Sequence, residues 1–226
     1  MKNSINIIIL LFLCSCTAVG GSALEWEYDG TVRHGSQKIK TKLHNAYYAF
    51  NSEEGIYLAG FVIDEKAVNH PYVVFVKKDL TEQFDWVQQA MVEQMFIFNN
   101  QLFLLDEYGN TKVKSGQSWN KSKISFLPNS KIVYNVSDII ACVPSPLGKS
   151  SQDKGNCYSL KKGWKVNVAW RSIQPIVCGG FLNAIEDDSA KIKAHKINLD
   201  TGRIVKSIDL KSPPSQENLC NMFVSK

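Results

Sequence analysis

Apolar residues along this chain recur in short bursts rather than in helical stripes. AYYAF (Ala46 to Phe50), GIYLAGFVI (Gly55 to Ile63), YVVFV (Tyr72 to Val76), MFIF (Met95 to Phe98), LFLL (Leu102 to Leu105), KIVYNV (Lys131 to Val136), DIIACV (Asp138 to Val143) and RIVKSIDL (Arg203 to Leu210) are rich in Val, Ile, Tyr and Phe. Turns rich in Gly, Asn, Asp and Lys separate them. β-Branched and aromatic residues suit a pleated, half-buried surface, so each burst predicts a strand. No long apolar stripe of ~3.6-residue period is present. The one stretch that would suit a helix, about Glu82 to Gln94, reads equally well as a strand and a turn. The pattern predicts an all-β chain.

The bursts also recur at a larger interval. HNAYYAF from His44, EQMFIFN from Glu93, KIVYNVS from Lys131, IQPIVCGG from Ile173 and NLCNMFV from Asn218 follow one another at spacings of 49, 38, 42 and 45 residues. A four-stranded propeller blade takes about 40–45 residues, or ~50 in kelch-type repeats. Each run is then expected as the innermost strand of one blade. A second form repeats in phase with the first, a strand, a tight turn and a strand. It appears in HKINLDTGRIVKSIDL (His195 to Leu210), in CYSLKKGWKVNVAW (Cys157 to Trp170) and, without glycine, in VVFVKKDLTEQFDWV (Val73 to Val87). LFLLDEYGNTKVK (Leu102 to Lys114) is a further instance, but it falls closer to its preceding run and makes the second blade irregular. The form LDTGRIV resembles the outer hairpin of quinoprotein-type propellers and of the propeller lipoprotein of the outer-membrane assembly machinery. The resemblance spans about a dozen residues per repeat; it implies an architecture and places no cofactor residue here.

Counting blades suggests how the ring closes. The last run, Asn218 to Val224, has no outer strands after it. Leu24 to Leu43 has strand-like pieces, LEWEY and QKIKTKL, with no inner strand before them. The expectation is a small β-propeller of about five blades, closed by pairing the N-terminal outer strands with a C-terminal inner strand. Closure would remove the exposed edge of an open sheet. A β-sandwich or a single large barrel is the competing architecture.

The chain opens MKNSINIIILLFLCSCTAVGG. Ile5 to Leu13 is apolar apart from Asn6, and nine residues span less than half of a ~30 Å hydrocarbon core. Its length and flanks are those of a signal-peptide core. Leu13-Cys14-Ser15-Cys16 resembles the bacterial lipobox, which implies cleavage before Cys16 and a lipid thioether on that cysteine. Residues 1–15 are then a signal peptide, 16–23 a lipidated N-terminus with a short linker, and 24–226 a single β-propeller domain. Thr17 is not the aspartate that, in the enteric pattern, retains lipoproteins at the inner membrane. In a Gram-negative cell the resemblance therefore implies the periplasmic side of the outer membrane. Ordinary secretion with cleavage after Ala23, at Gly21-Ser22-Ala23, is the other reading.

The formal charge is +5, and lysine supplies most of the positive side, since Arg33, Arg171 and Arg203 are the only arginines. The lysines are scattered, which fits a solvated surface rather than a nucleic-acid groove. Beyond Cys14 and Cys16, four cysteines remain, Cys142, Cys157, Cys178 and Cys220. An even count in an exported chain suggests disulfides, with three pairings open. Cys142 with Cys157 would close the polar loop VPSPLGKSSQDKGN. Cys178 with Cys220 would join neighbouring blades at the seam of the ring; two buried free thiols are the alternative for this pair.

Little else carries chemistry. His34, His44, His70 and His195 are dispersed, in neither a GxSxG nor an HExxH context, and read as surface or strand-end residues. Asp106-Glu107 and Glu186-Asp187-Asp188 end apolar runs and read as turn residues rather than as a glycosidase pair or a Ca²⁺ site. The three arginines and SGQSW (Ser115 to Trp119) invite comparison with sialidases, but the Asp of the Asp-box is missing, so no activity is carried over. Trp86, Trp119 and Trp170 end expected outer hairpins and read as packing between blades. Asn120-Lys121-Ser122 and Asn135-Val136-Ser137 are glycosylation sequons, normally left bare in a bacterial lipoprotein. No cofactor or metal set is present in the pattern. The functional expectation is a non-catalytic cell-envelope lipoprotein that binds a protein partner, as an assembly factor or a toxin-immunity protein. It would touch the membrane only through its lipid and bind no nucleic acid. The alternative is a carbohydrate-binding or glycoside-hydrolysing secreted propeller.

Overall fold

A computed structural model of the chain describes residues 24–81, 83–134, 136–145, 155–171, 173–188 and 191–223. The described residues form five antiparallel sheets, each a meander of consecutive strands. The first sheet has three strands: β1 (Glu25–Trp26), β2 (Thr31–His34) and β3 (Gln37–Lys40). The second holds β4 (Asn45–Asn51), β5 (Gly55–Ile63), β6 (Asn69–Lys77) and β7 (Gln83–Val87). The third holds β8 (Val92–Phe98), β9 (Gln101–Asp106), β10 (Asn110–Ser115) and β11 (Ser118–Ser125). The fourth holds β12 (Lys131–Tyr134), β13 (Ile140–Val143), β14 (Asn156–Ser159) and β15 (Lys165–Asn167). The fifth holds β16 (Ile176–Cys178), β17 (Phe181–Asp188), β18 (Lys191–Asn198) and β19 (Ile204–Leu210).

The arrangement is propeller-like. The first strands lie side by side, β4 beside β8, β8 beside β12 and β12 beside β16. The four inner runs from His44, Glu93, Lys131 and Ile173 are thus the first strands of four sheets, as their spacing predicts. Sheets stack face to face because each strand alternates between two buried faces. Val32, Leu43, Ile56 and Val74 fill the layer between the first and second sheets. Tyr57, Phe75, Met95 and Leu104 fill the next. Phe96, Phe103, Ile132 and Ile139 fill the third, and Cys142, Trp164, Leu182 and Ile197 the fourth.

Two expectations fail. The strand over Asn218–Val224 is not formed as far as Phe223; Gln216–Asn218 and Asn221–Phe223 are short 3-10 turns. The apolar residues Leu219, Met222 and Phe223 are spaced as on a helix, and with Ile185 and Ala194 they cover the outer face of the fifth sheet. The segment therefore does not supply an inner strand to the first sheet. Pro213 and Pro214, which lack N–H donors, precede it. The Cys178–Cys220 disulfide and the Asn183 Nδ2 to Leu219 carbonyl bond (3.2 Å) hold it on the fifth sheet. The second failure is one of phase. LFLLDEYGNTKVK is the β9–β10 hairpin, between second and third strands. The outer hairpin of the third sheet is β10–β11, which turns at Gly116 (φ 54°). With this hairpin assigned, the third sheet has the same sequential four-strand order as the second, fourth and fifth. The equivalent outer turns place Gly35, Leu80, Gly116, Gly163 and Gly202 at positive φ.

Candidate functional site

The first strands share a device that sets the centre of the molecule. β4, β8 and β12 each carry a β-bulge against the second strand, at Tyr47, Glu93 and Val133. An extra residue re-aims its neighbours. It turns Tyr48 and Gln94 toward the next sheet. The Tyr48 hydroxyl accepts from Met95 N–H (3.1 Å) and donates to the Met95 carbonyl (3.3 Å). Gln94 does the same to Ile132, accepting from its N–H (2.7 Å) and donating to its carbonyl (3.0 Å). Tyr47 accepts from Val92 N–H at 2.9 Å, and burial raises its phenol to about 12. Lys131 pairs with Glu93 across the same seam. Side chains thus replace the ladder that separate sheets cannot form, and backbone groups of the first strands stay satisfied.

A cleft of about 290 Å³ lies between these strands, lined by Phe50, the stretch Gln94 to Ile97, and Ile132 to Tyr134. No carboxylate is among its lining residues. Two carboxyls facing across a gap of ~5–10 Å are what glycoside hydrolysis requires. All five tryptophans pack in the layers between sheets: Trp26, Trp86 and Trp119, Trp164 and Trp170. Packing between blades, expected for Trp86, Trp119 and Trp170, holds. Among the described residues, the exposed large aromatic side chains are Tyr28 and Tyr108, at 58% and 63%.

Exposed apolar side chains stand at both ends of the sheets, with Ile97, Val136, Leu160, Ile204 and Val205 at one end and both exposed tyrosines at the other. The tyrosine end bears the links between sheets, the turns between second and third strands of the four-stranded sheets, and the β1–β2 turn of the first sheet. Tyr28 stands on the β1–β2 turn, Val68 and Tyr108 on the second-to-third turns of the second and third sheets, and Ile63, Val87 and Leu127 at adjoining strand ends and links, all exposed.

The fifth sheet holds a polar cluster that the sequence did not announce. His195 is read from sequence as a surface or strand-end residue, but it sits inside β18 at 6% exposure. Its Nδ1 is 2.8 Å from Ser207 Oγ on β19, and its Nε2 is 3.0 Å from Glu186 Oε2 on β17. His195 and Ser207 are directly paired across β18–β19, and Glu186 lies two residues beyond His195's partner Ala184. Glu186 is therefore a strand residue with a buried partner, not a turn residue. Only the register reveals the three together.

The other sequence-predicted residues are placed as follows. Leu13, Cys14, Ser15 and Cys16, with the whole N-terminal segment through Ala23, lie outside the described residues. So do Asn135 and most of the loop between Cys142 and Cys157. Cys142 is bonded to Cys157 and Cys178 to Cys220, the first pair facing across β13–β14. Disulfides persist in oxidising compartments, which places this chain outside the reducing cytoplasm. No described helix is long and apolar enough to cross a membrane. Asp106 caps the β9–β10 turn, accepting from Tyr108 N–H (3.0 Å) and Asn110 N–H (2.9 Å), as a turn residue should. Glu107 accepts from Met91 N–H at 3.1 Å. The arginines do not converge: Arg33 pairs with Glu27 at 2.5 Å on the first sheet, Arg171 follows β15, and Arg203 sits in the β18–β19 turn. His70 bonds Asp64 at 2.9 Å, and that bond with the Val68 N–H holds the Asp64 carboxyl below its ordinary range. Among the described residues, no group of His, Cys, Asp and Glu could hold a metal ion.

No family model and no curated protein matches the chain. Among solved structures it is similar to dihydro-heme d1 dehydrogenase NirN in complex with DHE, at a TM-score of 0.39 and 11% identity. The likeness covers 84% of this chain and 54% of that one, so the chain spans about half the length of the structure it matches.

Proposed function

We propose that the chain is a cell-envelope lipoprotein, anchored through Cys16, whose residues 24–226 form one five-bladed propeller that binds a protein partner. The observation that carries this reading is the gathering of exposed Tyr28, Val68, Tyr108 and Leu127 at one end of three consecutive sheets. Exposed aromatic and aliphatic side chains at loop tips are the usual anchors of protein interfaces. Hydrolysis of glycosides is less well supported, because the central cleft lacks a carboxylate pair. Tyr28 and Tyr108 would also suit a sugar face, so the test includes that outcome.

The full chain, extracted in detergent, is used to capture partners from envelope extract, beside a Tyr28→Ser/Tyr108→Ser variant. Wild type is expected to recover one stoichiometric protein, and the variant to lose it with an unchanged melting temperature. Glycan retention without protein, or equal recovery by both forms, overturns the reading. Metabolic labelling with a fatty acid, compared between wild type and Cys16→Ala, tests the anchor separately.

A further inference from the structure

We propose that Ser207, His195 and Glu186 form a nucleophilic serine site that cleaves small carboxylic esters, anionic ones in preference. Three strands bring the groups together: Glu186 on β17, His195 on β18 and Ser207 on β19. The carboxylate accepts a hydrogen bond and cannot donate one, so His195 Nε2 carries the ring proton at 3.0 Å from Glu186 Oε2. That leaves the Nδ1 lone pair for the Ser207 hydroxyl proton at 2.8 Å. A nucleophile in hydrogen-bond reach of a base, itself oriented by a third group, is the arrangement that activates a serine.

The burial gradient runs in the direction this chemistry needs. His195 is buried, Glu186 is half-buried, and Ser207 is exposed on the outermost strand, where a substrate can reach it. The charge nearby fits as well. Lys193 pairs with Asp209 at 3.9 Å, two residues along the ladder from the His195–Ser207 pair. A cleft of about 470 Å³ adjoins this end of the sheet, and Lys191, Lys193 and Lys211 outnumber Asp187 and Asp209 in its wall. The excess of positive charge favours an ester with a negative group.

Each step balances. Ser207 Oγ forms a bond to the acyl carbon and gives its proton to His195 Nδ1. The tetrahedral alkoxide collapses, the bond to the leaving oxygen breaks, and Nδ1 returns the proton to that oxygen. Water then attacks acyl-Ser207, passes a proton to Nδ1, and Ser207 Oγ recovers it as the acid departs. The net reaction is ester and water to acid and alcohol. Ser207 is the nucleophile, His195 the general base, and Glu186 a positioning residue.

The full chain in detergent is treated with a fluorophosphonate probe and, separately, with para-nitrophenyl acetate and its hemisuccinate counterpart. Mass spectrometry is expected to place one phosphonyl group on the peptide containing Ser207. Ser207→Ala, an exposed substitution that leaves the fold intact, should abolish labelling and reduce hydrolysis to the uncatalysed rate. Glu186→Gln should lower kcat about a hundredfold with KM little changed, which a merely structural carboxylate would not do. Hemisuccinate should be cleaved faster than acetate. An unlabelled Ser207, or equal hydrolysis by wild type and Ser207→Ala, overturns the proposal. His195→Gln is confirmed as folded by circular dichroism; labelling by folded His195→Gln at the wild-type rate also overturns it.

Discussion

The second and third sheets and the fourth and fifth sheets solve the same problem with different means. In the second sheet β5 and β6 are nine residues long, and rings such as Tyr57 and Phe75 meet at a tilt with 4.5 Å between centroids. Phe96 and Phe103 stack at 5.3 Å in the third sheet, and Trp86 meets Trp119 edge-on at 6.2 Å. Among the described residues, no disulfide joins these strands. In the fourth sheet the strands are only three or four residues long and Cys142–Cys157 lies there, while Cys178–Cys220 ties the three-residue β16 of the fifth sheet to the segment after β19. Long aromatic strands bury enough apolar surface to hold a sheet, whereas short strands cannot. Covalent cross-links, which restrict the unfolded chain, compensate where burial is thin.

Reduction should break the comparison most sharply. In the chain-entropy account, a 15-residue separation contributes ~3 kcal/mol and a 42-residue separation ~4 kcal/mol. Dithiothreitol is expected to release hydrogen-exchange protection in β12–β19 while β4–β10 stay protected; uniform loss would show that the two regions stand or fall together. Next in size is Phe103→Ala, which removes a ring 5% exposed in the layer between third and fourth sheets. It should cost about 3–5 kcal/mol by denaturant melts, and oxidation state should not rescue it.

Alkaline pH provides a third contrast, again confined to the aromatic half. Burial raises Tyr47 from 10.0 to about 12, so the folded state favours the neutral phenol. Its contribution is complete below pH 10 and is lost as pH rises toward about 12. Thermal melts across that window should show falling stability in wild type and a flatter profile in Tyr47→Phe. The smallest effect should be common to both halves. Gly116 and Gly163 both take positive φ, and nothing lies within 4 Å of where an added Cβ would stand. Gly116→Ala and Gly163→Ala should therefore each cost only ~1 kcal/mol, the strain of the left-handed backbone alone. Gly202→Ala should cost more, since an added Cβ would stand 2.8 Å from the Trp164 ring.

What the sequence reveals follows from range. Strand bursts, turn glycines and the spacing of the inner runs are local, so their periods are visible in one dimension. The even count of Cys142, Cys157, Cys178 and Cys220 suggests disulfides but leaves the pairing open, and Cys220 lies between two 3-10 turns rather than on the strand its run suggests. The third sheet reads out of phase because Gly109-Asn110 and Ser115-Gly116 both look like hairpin turns, and only pairing distinguishes them. Residues 218–223 read as a strand because Leu219, Met222 and Phe223 fit a helical period over a stretch too short to display it. The polar cluster is invisible for a different reason. Glu186, His195 and Ser207 meet only if the β17–β18 and β18–β19 registers are known to the residue. A shift of one would turn His195 to the opposite face.

The bond between Cys178 and Cys220 has a temporal consequence. Its two sulfurs are separated by three complete strands, so the first must wait, as an unpaired thiol, while those strands are delivered. During that interval Ile185 and Ala194 lack the cover of Leu219 and Phe223. The fifth sheet is thus the last to be sealed, and a cell that exports this chain has reason to shield Cys178 from premature partners until Cys220 arrives.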